Sequence, residues 1–123
     1  MENSFWSSLK YFKKEEFECP CCGMINIDHD FIYDLEEARE EAGIPFVIES
    51  ASRCFKHNKA VGGVDSSAHC SGEAVDIVVN SSQARYKLLQ ALLPRFRRIG
   101  IGKTFIHVDD DPTKPKEVCW LYD

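Results

Sequence analysis

The sequence predicts an α+β domain in which a small antiparallel sheet carries helices packed on one side. Three observations lead there. Apolar residues recur at the helical period over 28–42 and again over about 82–93. Four short runs rich in β-branched and aromatic residues, PFVIES, AVDIVV, RRIGIG and TFIHVD, read as strands. These strands fall between and after the helices, which suits one sheet layer backed by one helix layer. A length of 123 residues gives one core and no room for a second, so residues 1–123 are expected to form a single domain.

Residues 1–27 are expected to form an N-terminal arm. Within it, SLKYFKKEEFECPCCG mixes aromatic with charged residues and ends in Pro and Gly, which suits a short helix or an extended segment wrapped on the domain. Phe31, Leu35, Ala38 and Ala42 then mark one helix face. Asp28 is the N-cap, Asp30 suits the first turn, and Gly43 followed by Pro45 stops the helix. After the strand PFVIES, the polar stretch FKHNKAVGGVDSSAH with its Gly-Gly pair reads as a long loop, or a loop carrying one helical turn. AVDIVV is the second strand. Ser81 or Ser82 caps the next helix, Ala84, Leu88, Ala91 and Leu92 form its apolar face, and Pro94 helps to end it. RRIGIG and TFIHVD are two strands joined at Gly102-Lys103, and the basic run RFRRIG is expected to be a solvated helix end.

A formal charge of −5 argues against a nucleic-acid partner, because phosphate contacts need clustered Lys and Arg. No apolar stretch is long enough to span a bilayer, so no membrane insertion is expected. The N-terminus MENSFWSSLKYFKKEE lacks an apolar signal region and a small-residue cleavage site, which predicts a chain that is cytoplasmic on synthesis. The cysteines at 19, 21, 22, 54, 70 and 119 therefore read as reduced thiols first. Cys19 and Cys22 form a CxxC that invites a zinc-ribbon reading, but no second CxxC or HxxxH pair completes it. Cys54 and Cys70 would do so only if the fold brought them near. The alternative is a tight turn with buried or half-buried thiols.

His69, Asp76 and His107 are of metal-ligand type and lie at or beside strand ends. Zinc with three protein ligands keeps a fourth position for water and lowers its pKa to about 7. Gly72 would let the chain between His69 and Asp76 fold back tightly, so that both reach one ion. On a strand, Phe105, His107 and Asp109 share a face. Phe105 would form a dry wall. Asp109 can steady a metal-bound His107 or act on the bound water as general base. Asp110 and Asp111 read as a solvated acidic turn before Pro112.

At these residues the chain resembles the M15 zinc peptidases, the D-alanyl-D-alanine carboxypeptidase and dipeptidase family that also includes phage endolysins. SSAHCSGEAVDI matches S-x-H-x-x-G-x-A-x-D, FIHVD resembles the second zinc-histidine segment, and ESASRCFKHNKAVGG resembles the upstream S-G-Y-R-x-x-x-H-N-x-x-V-G-G block. EFECPCCG is also similar to a segment of phage-type members. The resemblance implies a hedgehog- or DD-peptidase-like fold with a zinc site at the sheet, Zn2+ as cofactor, and His69, Asp76 and His107 as its ligands. It also places Arg53 on a substrate carboxylate or carbonyl and Ser67 near the substrate. Two departures stand out. Thr104 occupies the position where several relatives carry a catalytic acid, which leaves Asp109, or Glu73 from the loop, as the acid. Ala51 and Ser52 replace a frequent Gly-Tyr pair beside the substrate pocket.

The expected function is a zinc metallopeptidase, active as a monomer, that cuts peptide bonds in bacterial peptidoglycan, as a carboxypeptidase, an endopeptidase or a phage lysin that reaches the wall through a separate membrane lesion. A catalytically impaired zinc-containing peptide-binding module of the same fold is the alternative. A thiolate zinc ribbon serving nucleic acid is the third reading, and the acidic charge speaks against it.

Overall fold

A computed structural model describes residues 2–64 and 67–122. Helix α1 (Glu2–Ser7) and a 3-10 turn (Lys14–Phe17) make up the start of the arm. Helix α2 (His29–Ala42) follows, then strand β1 (Ile48–Ser50), helix α3 (Phe55–Ala60), strand β2 (Ala74–Val78) and helix α4 (Ser82–Leu92). Strands β3 (Arg98–Ile101), β4 (Phe105–Asp109) and β5 (Val118–Leu121) complete the chain. The sheet order is β1-β2-β4-β3-β5. All neighbours are antiparallel except β5, which lies parallel to β3 and makes the sheet mixed. Strand β5 is an element that the sequence reading did not anticipate. Residues 65 and 66 of the polar loop lie outside the described residues.

Local chemistry explains the helices. The Asp28 carboxylate accepts from the Phe31 amide at the start of α2, and Gly43 ends the helix in the left-handed region. Ser81, not Ser82, caps α4 by accepting from the Ala84 amide. The turn expected in the polar loop is α3, capped by the Cys54 sulfur.

Alternation along the strands separates two faces of the sheet. Val75 and Ile77 of β2, Ile106 and Val108 of β4 and Ile99 of β3 are buried against Phe31, Ile32 and Leu35 of α2 and Leu88 and Leu92 of α4. The arm completes this core with Phe5, Phe12 and Phe17. Glu36 of α2 stitches the arm in place, because its carboxylate accepts the backbone N–H groups of Lys10, Tyr11 and Phe12 at 3.1, 2.7 and 3.2 Å. The other face of the sheet carries polar and aromatic side chains.

Two expectations about charge are corrected. The run RFRRIG is not a solvated helix end, because Arg98 enters β3 and its half-buried side chain pairs with Asp109. Asp111 is not solvated either. It is 5% exposed, and its carboxylate caps the following turn by accepting from the amide and hydroxyl of Thr113 at 2.9 and 2.7 Å.

Candidate active site

Strand register assembles the site. Ser50 lies opposite Asp76, Asp76 opposite His107, His107 opposite Gly100, and Gly100 beside Trp120. Residues paired in this way project from the same face, so one row across the sheet holds all five. The neighbouring row pairs Arg98 with Asp109. His69 reaches the row from the turn before β2. That turn requires Gly72, which has φ 80° and lies so close to the arm that an added Cβ would meet the Asn26 carbonyl oxygen at 2.6 Å.

The two imidazoles are held in complementary tautomers. His69 Nδ1 lies 2.9 Å from the Ala51 carbonyl, which can only accept, so Nδ1 carries the hydrogen and Nε2 presents its lone pair. Nε2 is buried without a hydrogen-bond partner and lies 3.3 Å from Asp76 Oδ1. His107 Nε2 lies 2.7 Å from Asp109 Oδ2 and donates to it, which turns the opposite nitrogen, Nδ1, toward Asp76 Oδ1 at 2.8 Å. Two ring nitrogens and a carboxylate oxygen thus converge within 4.8 Å of one another. Three electron-rich atoms aimed at one point need a cation between them, and two imidazoles with one carboxylate suit zinc.

The ionisation of these groups in the metal-free arrangement reflects the same need. Burial disfavours charge on Asp76, yet the hydrogen bond to His107 and the adjacent His69 ring outweigh it and hold the carboxyl well below the usual range. Burial also disfavours an imidazolium at His107, but the bonds to Asp109 and Asp76 raise its pKa. Asp109 is likewise lowered, against burial, by its bond to His107.

Arg53 stands beside the triad. Its Nε donates to Ser50 Oγ at 3.2 Å and its Nη1 to Asn58 Oδ1 at 3.3 Å, and Nη2 lies 3.5 Å from Asp76 Oδ2. Asn58 is itself buried and tied to the Val64 carbonyl, so the guanidinium is fixed from behind. Ser67 also borders the site, and its hydroxyl accepts from the His69 amide.

A cavity of about 400 Å³ opens over the row. Arg53, His69, Asp76 and His107 line its floor, and Phe105, Trp120 and Tyr122 form an aromatic wall. Gly100 leaves room for that wall, since a Cβ there would meet the rings of Tyr122 and Trp120 at 2.6 and 2.7 Å.

The expected acids fall differently. Asp109 is 2% exposed, with Oδ2 on His107 and Oδ1 accepting from Arg98 Nε at 2.7 Å and the Asp111 amide at 3.2 Å. Both of its oxygens are thus engaged, one of them on the His107 ring. Glu73 borders a different cavity, with Phe55 and Asp111, and Thr104 is exposed. Ala51 and Ser52 do not line the cavity. Ser52 instead turns its hydroxyl to Asn26, accepting from its amide at 2.9 Å.

A family model for the M15 peptidases matches residues 10–109. The chain belongs to the peptidase M15 family. No curated protein matches it. M15 peptidases are zinc-dependent as a class, and the donor set of this member fits that ion. The matched span includes every member of the triad and Arg53, and it stops before Trp120 and Tyr122. These two residues of the M15 chain, with Arg98 and Asn58, are the parts of the site that sequence reasoning missed. A signal for the aromatics was present, because Val118, Trp120 and Tyr122 alternate as strand residues do.

Proposed function

We propose that this M15 chain is a zinc-dependent metallopeptidase that hydrolyses a peptide bond in bacterial peptidoglycan. The observation that carries the reading is the unpartnered His69 Nε2, aimed with His107 Nδ1 at Asp76 on the floor of an open cavity. Bound there by His69, Asp76 and His107, zinc would polarise a carbonyl and supply ionised water at neutral pH.

The chain's own groups account for the rest. Arg53 offers a prefixed guanidinium beside the triad, suited to a substrate carboxylate or to the oxygen of the scissile carbonyl as charge develops. Asp109 keeps His107 in the ligating tautomer, and Arg98 anchors Asp109, so both are positioning residues. Burial raises the Tyr122 phenol's pKa, which leaves it protonated as a donor at the cavity wall. Of the cations that line the cavity, Arg53 is the one placed beside the triad, where it suits the free carboxylates of wall peptides.

A second reading, a peptide-binding module with impaired catalysis, draws on one observation. Among the described residues the cavity has no carboxylates besides Asp76 and Asp109, and both oxygens of Asp109 are engaged. One experiment separates the two. The purified protein is assayed for zinc and incubated with peptidoglycan fragments while new amine and carboxyl termini are followed. Cleavage that disappears in His69→Ala together with one zinc equivalent supports the peptidase. Zinc held at His69 with fragments bound but never cut supports the module.

A further inference from the structure

Away from the cavity, a second group of metal-binding side chains has been assembled from distant parts of the chain. Cys19 and Cys22 flank a turn in the arm, and Cys54 caps α3. Their three sulfurs lie within 4.8 Å of one another, with Cys19 Sγ and Cys54 Sγ 3.8 Å apart. A tetrahedral zinc with Zn–S bonds of about 2.3 Å sets its sulfurs about 3.8 Å apart. The six cysteines are free thiols.

The backbone around the sulfurs is arranged for thiolates. The turn closes through Gly23 N to Cys19 O at 2.8 Å and Cys19 N to Met24 O at 2.7 Å. The Cys54 amide points at Cys19 Sγ at 3.5 Å, and the His57 amide points at Cys54 Sγ at 3.3 Å. Such N–H groups stabilise sulfur as an anion, the form that ligates metal. The thiol of Cys21 adjoins that of Cys54 but stands outside the three sulfurs that converge.

We propose that Cys19, Cys22 and Cys54 form a structural zinc site that clamps the N-terminal arm to the start of α3. Soft thiolates select zinc over the hard cations that oxygen ligands hold. The clamp matters because of what adjoins Cys54 along the chain. Arg53 is the next residue back, Ser52 binds Asn26 of the arm, and the Ala51 carbonyl fixes the tautomer of His69. The site therefore braces the segment that presents Arg53 and orients His69. It stands on its own sulfurs and does not depend on the proposed peptidase activity.

Cobalt substitution tests it. The whole protein, prepared reduced and stripped of metal, is titrated with Co2+ or Zn2+, and metal content and absorption are read for wild type, His69→Ala, Cys22→Ser and the double variant. A cobalt–thiolate centre gives a near-ultraviolet charge-transfer band that imidazole and carboxylate ligands do not give. The expected result is two metals in wild type and one in each single variant, with the band kept in His69→Ala and lost in Cys22→Ser. Cys22 is exposed, so its serine variant is expected to fold, with a thermal midpoint lowered by about 5 °C or more. The double variant holds none. A wild type with one metal and the band, unchanged in His69→Ala, would defeat the peptidase reading and leave the clamp standing. Metal without the charge-transfer band in wild type, or no metal in His69→Ala, overturns the clamp.

Discussion

The two faces of the sheet are made by the same strands and follow opposite rules. On one, Val75, Ile77, Ile99, Ile106 and Val108 exclude water beneath α2 and α4, and any apolar group of similar size would serve there. On the other, Asp76, His107, Asp109 and Arg98 place charge where water is scarce, each satisfied by specific neighbours. The first face supplies stability and tolerates exchange. The second draws on that stability to hold buried polar groups converging on one point.

The sharpest test of this contrast pairs one substitution from each face. His69→Ala is expected to lose its zinc equivalent and at least about 10³ in kcat/KM, while the metal-free protein keeps its thermal midpoint. Ile106→Ala is expected to cost about 2–5 kcal/mol in denaturant unfolding while the folded fraction keeps its zinc and its rate. If the two variants lost stability equally and activity equally, the faces would not be separable.

Arg53→Ala comes next, with an expected fall of about 10²–10³ in kcat/KM and zinc content unchanged. Arg53→Lys should recover little of this, since an ammonium cannot reach Ser50, Asn58 and a substrate together as the planar fork does. Steady-state kinetics on one fragment, with metal counted in the same samples, decides it. A full rate in Arg53→Ala would remove this residue from the substrate site.

Asp109→Asn probes the site face one step back from the metal. The amide cannot accept as strongly from His107 Nε2 or hold Arg98, and zinc affinity is expected to fall by about 10–100-fold. Saturating zinc should restore most of the rate. A rate that stays lost with zinc bound would return Asp109 to the role of base that the sequence left open.

How far each face was legible follows from the kind of information it needs. The apolar face is written locally, in alternation along AVDIVV and TFIHVD and in the spacing of Phe31, Leu35 and Ala38, and it formed as read. The triad was legible because its residues sit in motifs with fixed spacing. Arg98 was misread because its meaning comes from the residue across the strand, Asp109, and pairing is not local information. Trp120 and Tyr122 joined the cavity only because β5 adds to the sheet parallel to β3 after a loop, a pairing that is not local information. Cys54 met Cys19 for a comparable reason, through the folding of the arm onto the start of α3.

The smallest expected effect concerns pH and distinguishes a proton from a metal at His107. In the metal-free protein His107 has a raised pKa, so its contribution is fully present below the unfolded value of about 6.5 and is lost as pH rises through the folded value. Asp76 and Asp109 have lowered pKa values, so theirs is present above about 3.9 and is lost as pH falls through the folded values. The metal-free site therefore stabilises most between about pH 4 and 6.5 and weakens above that window. Zinc reverses the upper limb, because it requires unprotonated imidazoles and binds more tightly as protons leave. The rise in thermal midpoint on adding zinc should thus grow from pH 5.5 to 8 in wild type, and the part due to this site is what His69→Ala lacks. Equal increments in the two proteins at every pH would mean that the converging nitrogens hold no metal.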